Sequence, residues 1–432
     1  MWDFSTEPEF QEKLDWVKTF LREEVEPLDL LFPGHSAPYD FKNAKARAIL
    51  KPLQKIVRDK KLWACHLGPE LGGQGYGQVK LALMNELLGG YQWAPTVFGT
   101  AAPDTGNAEI LAMFGTEEQK AKYLQPLLDG DICSCYSMTE PQGGADPKQF
   151  ICAAYREGDE WVIDGYKWFS SNARFASFLI VMAVTDPEAR AHSRCSMLIV
   201  PADTPGVKII RNVGTLANAP ELDDGAHAYI HYDKVRVPLD AMLGGPGEGF
   251  RVAQARLGGG RIHHAMRTVA KCQKAIDMML ERAVSRTTQG KRLGDHQFVQ
   301  GMIADSVIEL HQFRLMVLQT AWVIDNMPHG AARTGISMCK VAAAKIYHEI
   351  ISRAVQIHGS LGVTRETPLA DMFMHMPNMG LVDGPTEVHK VGVAKAFLGQ
   401  AVPAPGLFPT EHIPTKLIEA RKKYAHMFEA AE

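Results

Sequence analysis

The chain has 432 residues, 46% of them apolar and 22% charged, with a formal net charge of −3. That length allows two or three domains around a large core, and the near balance of acids and bases excludes the electrostatic footprint of a nucleic-acid or acidic-membrane binder. Seven cysteines carry no paired metal-ligand spacing, Cys133 and Cys135 forming only C-x-C, so thiols in a reducing compartment are expected.

The opening Met-Trp-Asp-Phe-Ser-Thr-Glu lacks the basic-then-apolar order of a signal peptide. Residues 8–128 carry helical periodicity: Leu14, Val17, Phe20, Leu21 and Val25 recur at three and four, as do Leu81, Met84, Leu87 and Leu88. The Gly/Pro-rich run at 67–77 interrupts them and predicts a loop. From 131 to about 240 the texture changes to short apolar or alternating runs beginning at Trp161, Phe178, Ser196, Val207 and Ala228. Turn pairs such as Asp164-Gly165 and Pro205-Gly206 separate them, which predicts a β domain.

After Gly249 long helical stripes return. Residues 250–285 hold almost no breaker beyond Gly258–Gly260, and Ile303, Val307, Leu310, Phe313, Val317 and Ala321 line one face. Helices are also expected over 335–358 and 386–400, and stripes this long need partners in a bundle. Four prolines between 403 and 414 precede a charged terminal helix. The expected organisation is an α+β chain: a helical domain over 1–130, a middle β domain over 131–244, a helical bundle over 245–402 and an arm over 403–432. No apolar run of about 18 residues predicts a membrane span. The final Glu-Ala-Ala-Glu is no peroxisomal tripeptide. A cytoplasmic protein is expected, on the assumption of a bacterial source.

Nucleotide signatures of the G-x-G-x-x-G and G-x-x-x-x-G-K-[ST] types are missing, and Gly245-Pro-Gly-Glu-Gly249 has the spacing of a structural turn. His227 and His231 have helical chelating spacing, but their segment alternates like a strand. Four strand residues separate same-face side chains by roughly 13 Å, so a solvated pair and no metal is expected. His263 and His264 are adjacent, hence on different flanks of a helix, and form no chelate.

Two stretches carry more information. One is Tyr136-Ser-Met-Thr-Glu-Pro-Gln-Gly-Gly-Ala-Asp146; the other is Tyr166-Lys-Trp-Phe-Ser-Ser-Asn172. Both resemble the flavin-cradling loops of the acyl-CoA dehydrogenase family, a likeness that extends over about residues 5–400. The run Leu257–Val269 and Val382-Asp-Gly-Pro-Thr-Glu-Val-His389 look like the branch containing animal members ten and eleven and their bacterial relatives. The fold implied is an N-terminal helical domain, a middle β-barrel and a C-terminal four-helix bundle, binding FAD.

Carried over by position, the resemblance makes Tyr136, Met138, Thr139, Gly144 and Ala145 flavin contacts. Donors there would stabilise the charge that arrives with a hydride. Ala145 stands where the family usually has Ser, which puts its contact to the substrate's CoA arm in question. Phe169 aligns with the flavin-stacking aromatic and Ser171 with the hydroxyl near the reactive nitrogen. Arg286, Thr288, Gln289 and Gln297 fall on the loop that meets the FAD pyrophosphate of a neighbouring subunit, where Arg suits phosphate oxygens. Gln356 and Gly359 match the turn beside the adenosine portion; Pro385 and Glu387 complete the cofactor set.

The catalytic position is Asp383, which falls where many members have the Glu that removes the α-proton of an acyl thioester. Arg261 and Gly384 are the matching substrate-side residues. Some members place the base on the bundle helix just before that Arg, but here that site is Gly260, which has no acid. The resemblance implies dehydrogenation of an acyl-CoA to the trans-2-enoyl-CoA. An electron-transfer flavoprotein is then the implied acceptor, in a homodimer or homotetramer. The alternatives are an acyl-CoA oxidase or flavin monooxygenase of the same fold, or a non-catalytic DNA-binding flavoprotein, against which the balanced charge speaks.

Overall fold

A computed structural model describes residues 5–34, 36–69, 73–216, 226–328 and 330–428. Both chain ends read above, Met1–Phe4 and 429–432, and Glu70–Gly72 of the predicted loop lie outside the described residues. The chain divides into two compact units, with the boundary after Lys390.

The N-terminal part of the first unit is helical, as its periodicity predicts. Helix α1 (Pro8–Phe20) buries Phe10, Leu14, Val17 and Phe20. Helix α2 (Ala44–Asp59) begins where the Asn43 side chain accepts from Ala46 N at 3.1 Å, a direct N-cap. Helix α3 (Gly77–Leu88) is capped from a distance: the Asp325 carboxylate accepts from Gln78 N (2.7 Å) and Val79 N (2.9 Å). A negative charge there also suits the positive end of the helix dipole. Helix α4 (Asp104–Phe114) leads toward the sheet.

The strands are β1 (Ser134–Ser137), β2 (Ala153–Glu157), β3 (Glu160–Ser171), β4 (Phe178–Val184), β5 (Cys195–Pro201), β6 (Val207–Val213), β7 (His227–Pro238) and β8 (Met242–Leu243). The expected barrel takes the form of one eight-stranded sheet in the order β6-β7-β3-β2-β4-β5-β8, with β1 parallel to β4. Its β3–β7 ladder shifts register between Lys167 and Ser170, a bulge that matters below. Strand β4, Phe-Leu-Ile-Val-Met-Ala-Val, is buried at all seven positions because both faces of the sheet are covered there. Ile180 and Met182 join Ile110, Leu111 of α4 and Val252 on one side; Leu179 and Val181 join Ile163, Ile230 and Tyr232 on the other. Strand β7 alternates half-buried and buried residues from His227 to Asp233, the pattern its sequence predicts.

Helix α5 (Gly249–Ser285) runs unbroken through Gly258–Gly260 and packs with α6 (Gln297–Asn326) and α7 (Arg333–His358). Met266, Met279, Phe313, Val317, Tyr347 and Ile351 form their shared core. Helix α8 (Thr386–Leu398), the fourth expected bundle member, buries only His389 within this chain and leaves Val388 and Val391 half exposed. All seven cysteines are buried and free. Among the described residues no helix is long and apolar enough to cross a membrane.

The second unit holds the rest of α8, the proline-rich stretch and α9 (Ile413–Lys423). The Phe408 and His412 rings stack at 4.0 Å just before α9, and its last turn carries Arg421, Lys422 and Lys423. Cations there suit the negative end of the helix.

Candidate active site

The first signature loop is held by a buried ion pair. Lys167 Nζ lies 2.8 Å from Glu140 Oε1, with side-chain exposures of 0% and 1%. The same ammonium donates to the Met138 carbonyl at 2.8 Å, and Glu140 also accepts from Ile151 N (2.7 Å) and Cys152 N (3.1 Å). Trp168 N donates to the Thr139 carbonyl at 2.8 Å. These bonds join the two stretches singled out in the sequence, so Tyr136, Met138 and Thr139 stand beside Trp168 and Phe169.

Phe169 sits on the bulge of β3 with φ +54°, a left-handed conformation unfavourable for an aromatic residue, and its ring is 41% exposed. The strained backbone aims a bare aromatic face outward instead of into the core. Gly143 closes a turn with Glu140, while Gly144 and Ala145 are exposed beyond it. Ser171 Oγ lies 2.9 Å from His227 Nδ1, and the Phe169 and His227 rings are 5.3 Å apart. His227 is therefore not solvated, as its sequence suggested: it supports the predicted Ser171, and burial lowers its pKa. His231 instead stacks on Tyr166 at 4.3 Å.

The second cluster surrounds Asp383. This residue has φ +55° and is followed by Gly384 at φ +104°, where an added Cβ would come within 3.0 Å of His389 Nε2. Arg261 Nε donates to the Asp383 carbonyl at 2.9 Å. Thus Asp383, Gly384 and Arg261, predicted together, do meet. The face of Gly260 is turned to the same carboxylate: a Cβ there would lie 3.4 Å from Asp383 Oδ2.

Sequence reasoning missed the groups that tune this acid. His264 Nε2 lies 3.3 Å from Asp383 Oδ2. Burial alone would raise the Asp383 pKa, but the His264 contact and the charges of Arg256 and Arg261 outweigh it and hold the carboxyl below its usual range. His264 itself is held below the ordinary imidazole value by burial, with Asp383 pulling the other way. The signal for His264 was its place on α5: it follows Arg261 by three and Gly260 by four, which puts all three on one face.

Behind this turn lies a polar network between α4, β1 and α5. Asp104 Oδ1 accepts from Ser134 N (2.8 Å) and Oγ (2.6 Å), Asn107 Nδ2 donates to Ser134 Oγ (2.8 Å), and Arg256 Nε donates to Asn107 Oδ1 (2.9 Å). Arg256 also lies over the Tyr136 ring at 3.9 Å. Burial pushes Asp104 up to about 6, against its bonds to Ser134 and the charge of Arg256. Burial likewise pushes Glu109 up to about 8, with Arg256 opposing; this carboxyl packs into the space left by Gly259, 3.0 Å from where a Cβ would be.

The remaining predicted residues stand apart in the single chain. Arg286, Thr288 and Gln289 occupy a tight hairpin in which Gln289 and Gly290 take φ +48° and +78°. Arg286, Gln289 and Gln297 are exposed. Gln356 and Gly359 mark the exposed end of α7, where Gly359 has φ +64°. Pro385 is half-buried before α8, and Glu387 is exposed in its first turn. The Gly245–Gly249 run is the structural turn expected, with Glu248 accepting from Gly245 N at 2.9 Å.

Helices, a covered sheet and a second set of helices bearing a carboxylate turn make up the three-domain acyl-CoA dehydrogenase fold. Models of the acyl-CoA dehydrogenase N-terminal, middle and C-terminal domains match residues 7–131, 135–233 and 247–398. FadE2 of Mycobacterium tuberculosis, named as an acyl-CoA dehydrogenase, is 39% identical over 402 residues, covering 92% of this chain and 93% of that protein. Acyl-CoA dehydrogenase family member 11 of Rattus norvegicus is 38% identical over 398 residues, covering 90% of this chain. The chain spans about half the length of that relative (50%). A solved Mycobacterium abscessus chain assigned to the acyl-CoA dehydrogenases has a TM-score of 0.84 at 36% identity, covering 92% of this chain and 99% of that one. Butyryl-CoA dehydrogenase of Megasphaera elsdenii shares the fold, with a TM-score of 0.78 at 24% identity, covering 92% and 100%. The chain belongs to the acyl-CoA dehydrogenase family, whose members are FAD-binding flavoproteins.

Proposed function

We propose that this chain dehydrogenates an acyl-CoA thioester between Cα and Cβ to the trans-2-enoyl-CoA, with Asp383 as the base. The observation that carries the reading is the Asp383 turn. Asp383 stands on left-handed backbone, its carbonyl held by Arg261 and its carboxylate turned toward the bare face of Gly260. When bound, FAD supplies the acceptor for the β-hydride.

The protein's part is placement and proton removal. Phe169 gives the stacking surface, and Tyr136, Met138, Thr139, Gly144 and Ala145 form the polar edge, with Ser171 at its border. Asp383 takes the α-proton through a carboxylate oxygen. Its own peptide N–H is the proposed donor to the thioester carbonyl, whose polarisation makes that proton removable. Arg261 and His389 fix the following peptide, Asp383–Gly384, through the Asp383 carbonyl, at 2.9 and 3.4 Å. Free Asp has a pKa of about 3.9, low for a base at neutrality, so substrate must displace water to strengthen it.

Arg286, Thr288, Gln289 and Gln297 are proposed to complete the pyrophosphate site of a neighbouring copy, which the exposure of Arg286, Gln289 and Gln297 in the single chain supports. Gln356, Gly359, Pro385 and Glu387 are proposed for the rest of the cofactor. An electron-transfer flavoprotein is the proposed acceptor, and peroxide release without it would instead indicate an oxidase. The decisive test is Asp383→Asn: flavin content is expected to persist while anaerobic bleaching by acyl-CoA is lost. A variant keeping more than about a tenth of the wild-type rate removes Asp383 as base.

A further inference from the structure

The Asp383 carboxylate is held at one oxygen, and the residue that holds it has no role in the mechanism above. His264 Nε2 approaches Oδ2 at 3.3 Å, and the bare α5 backbone at Gly260 faces the same oxygen, leaving room for this contact. The two side chains are only 29% and 20% exposed, so water competes weakly for the contact. The peptide of Asp383 is fixed separately, by Arg261 and His389. We propose that His264 is the positioning residue of the base: it ties down Oδ2 and leaves Oδ1 as the oxygen that meets the α-proton. This rests on the reading of Asp383 as base and deepens it.

Geometry supplies the reason for such a partner. An aspartate presents its oxygens on a short stem, and a turn alone leaves the carboxylate free to rotate about its last bond. A donor on Oδ2 removes that freedom, and a positioned base is worth far more than a mobile one. The proton count is simple. The α-C–H bond breaks, its proton goes to Oδ1, and its electron pair forms the C=C as the β-hydride leaves with its own pair to bound flavin. His264 gains and loses nothing while it stays neutral and donates Nε2–H.

Protonation of His264 changes this. A charged imidazole would lock the carboxylate into an ion pair and weaken it as a base, so the rate falls as pH falls through the His264 titration. The groups facing the pair are Tyr136 from β1, Arg256, Arg261, Arg267 and His263 from α5, Lys340 from α7 and His389 from α8. The neighbouring cations oppose protonation of His264, and burial does so first, which puts the acidic limb below the ordinary imidazole range.

The test uses flavin-loaded enzyme carrying His264→Leu or His264→Gln, the glutamine keeping an amide donor at similar reach. Anaerobic bleaching by acyl-CoA is followed from pH 5 to 9, with flavin content and melting temperature alongside. His264→Leu is expected to slow bleaching roughly ten- to a hundredfold, the worth of one charge-assisted hydrogen bond. His264→Gln is expected to recover to within a few-fold of wild type and to lose the acidic limb. If His264→Leu fails to hold flavin, the pH profile of His264→Gln decides. A wild-type rate and profile in His264→Leu, or an unchanged acidic limb in His264→Gln, overturns the proposal. If Asp383→Asn is inactive in the same assay, only the role of His264 has failed; if it is active, the base itself was misassigned.

Discussion

Replacing Lys167 with Met tests whether the buried ion pair under the first signature loop holds that loop in place. The substitution keeps most of the stem against the Phe150 ring, which the ammonium overlies at 4.6 Å, but removes the charge. Glu140, 2% exposed, would be left with only neutral donors: Ile151 N, Cys152 N and the Gln142 amide. Removing one partner of a buried pair costs about 3–5 kcal/mol, and the Met138 carbonyl loses its donor as well, adding about 1 kcal/mol. A loss of about 4–6 kcal/mol in urea unfolding is therefore expected. Because Met138 and Thr139 are proposed flavin contacts, the variant should also purify with less flavin. The double variant Glu140→Gln/Lys167→Met removes the stranded charge and should cost less than the sum of the two singles, a coupling above about 1.5 kcal/mol. A single variant within about 1 kcal/mol of wild type and fully yellow would refute the reasoning.

Phe169→Ala removes the exposed face on the β3 bulge while relieving little of the strain, since alanine is also disfavoured at φ +54°. Flavin affinity, measured by titration of stripped protein, should fall at least tenfold with the melting temperature little changed. His66 is 8% exposed and both its ring nitrogens lack a partner among the described residues; burial, then the Arg267 charge, lowers its pKa to about 3. Between pH 6.5 and about 3 the unfolded chain binds a proton that the folded chain refuses, so His66 makes stability fall with pH by up to about 1.4 kcal/mol per unit. Denaturation at pH 7, 6, 5 and 4 should show His66→Phe losing less stability on acidification than wild type; parallel curves would contradict the assignment.

What the sequence revealed follows from the range of the interactions that shape each part. Strands such as β4 and β7 were legible because their period and flanking turns are local, and α5 was legible despite Gly258–Gly260 because thirty-odd other residues outweigh them. Each such glycine costs about 1 kcal/mol in an isolated helix, so the sequence alone reads them as a weakness. The fold shows what two of them admit: Gly259 makes room for the Glu109 carboxyl and Gly260 faces Asp383. Those partners come from α4 and from the turn before α8, so no local pattern could pair them. The same holds for His264, set aside because it could not chelate with His263. Adjacent helical residues do diverge, and that divergence is what separates their roles. His263 turns inward to the His66 ring at 6.4 Å, while His264 turns to the Asp383 carboxylate. Asp383 was found through resemblance; the chemistry of its surroundings is written in long-range contacts, and its carboxylate, facing the side chain-free helix turn at Gly260, meets the His264 imidazole of α5 at 3.3 Å.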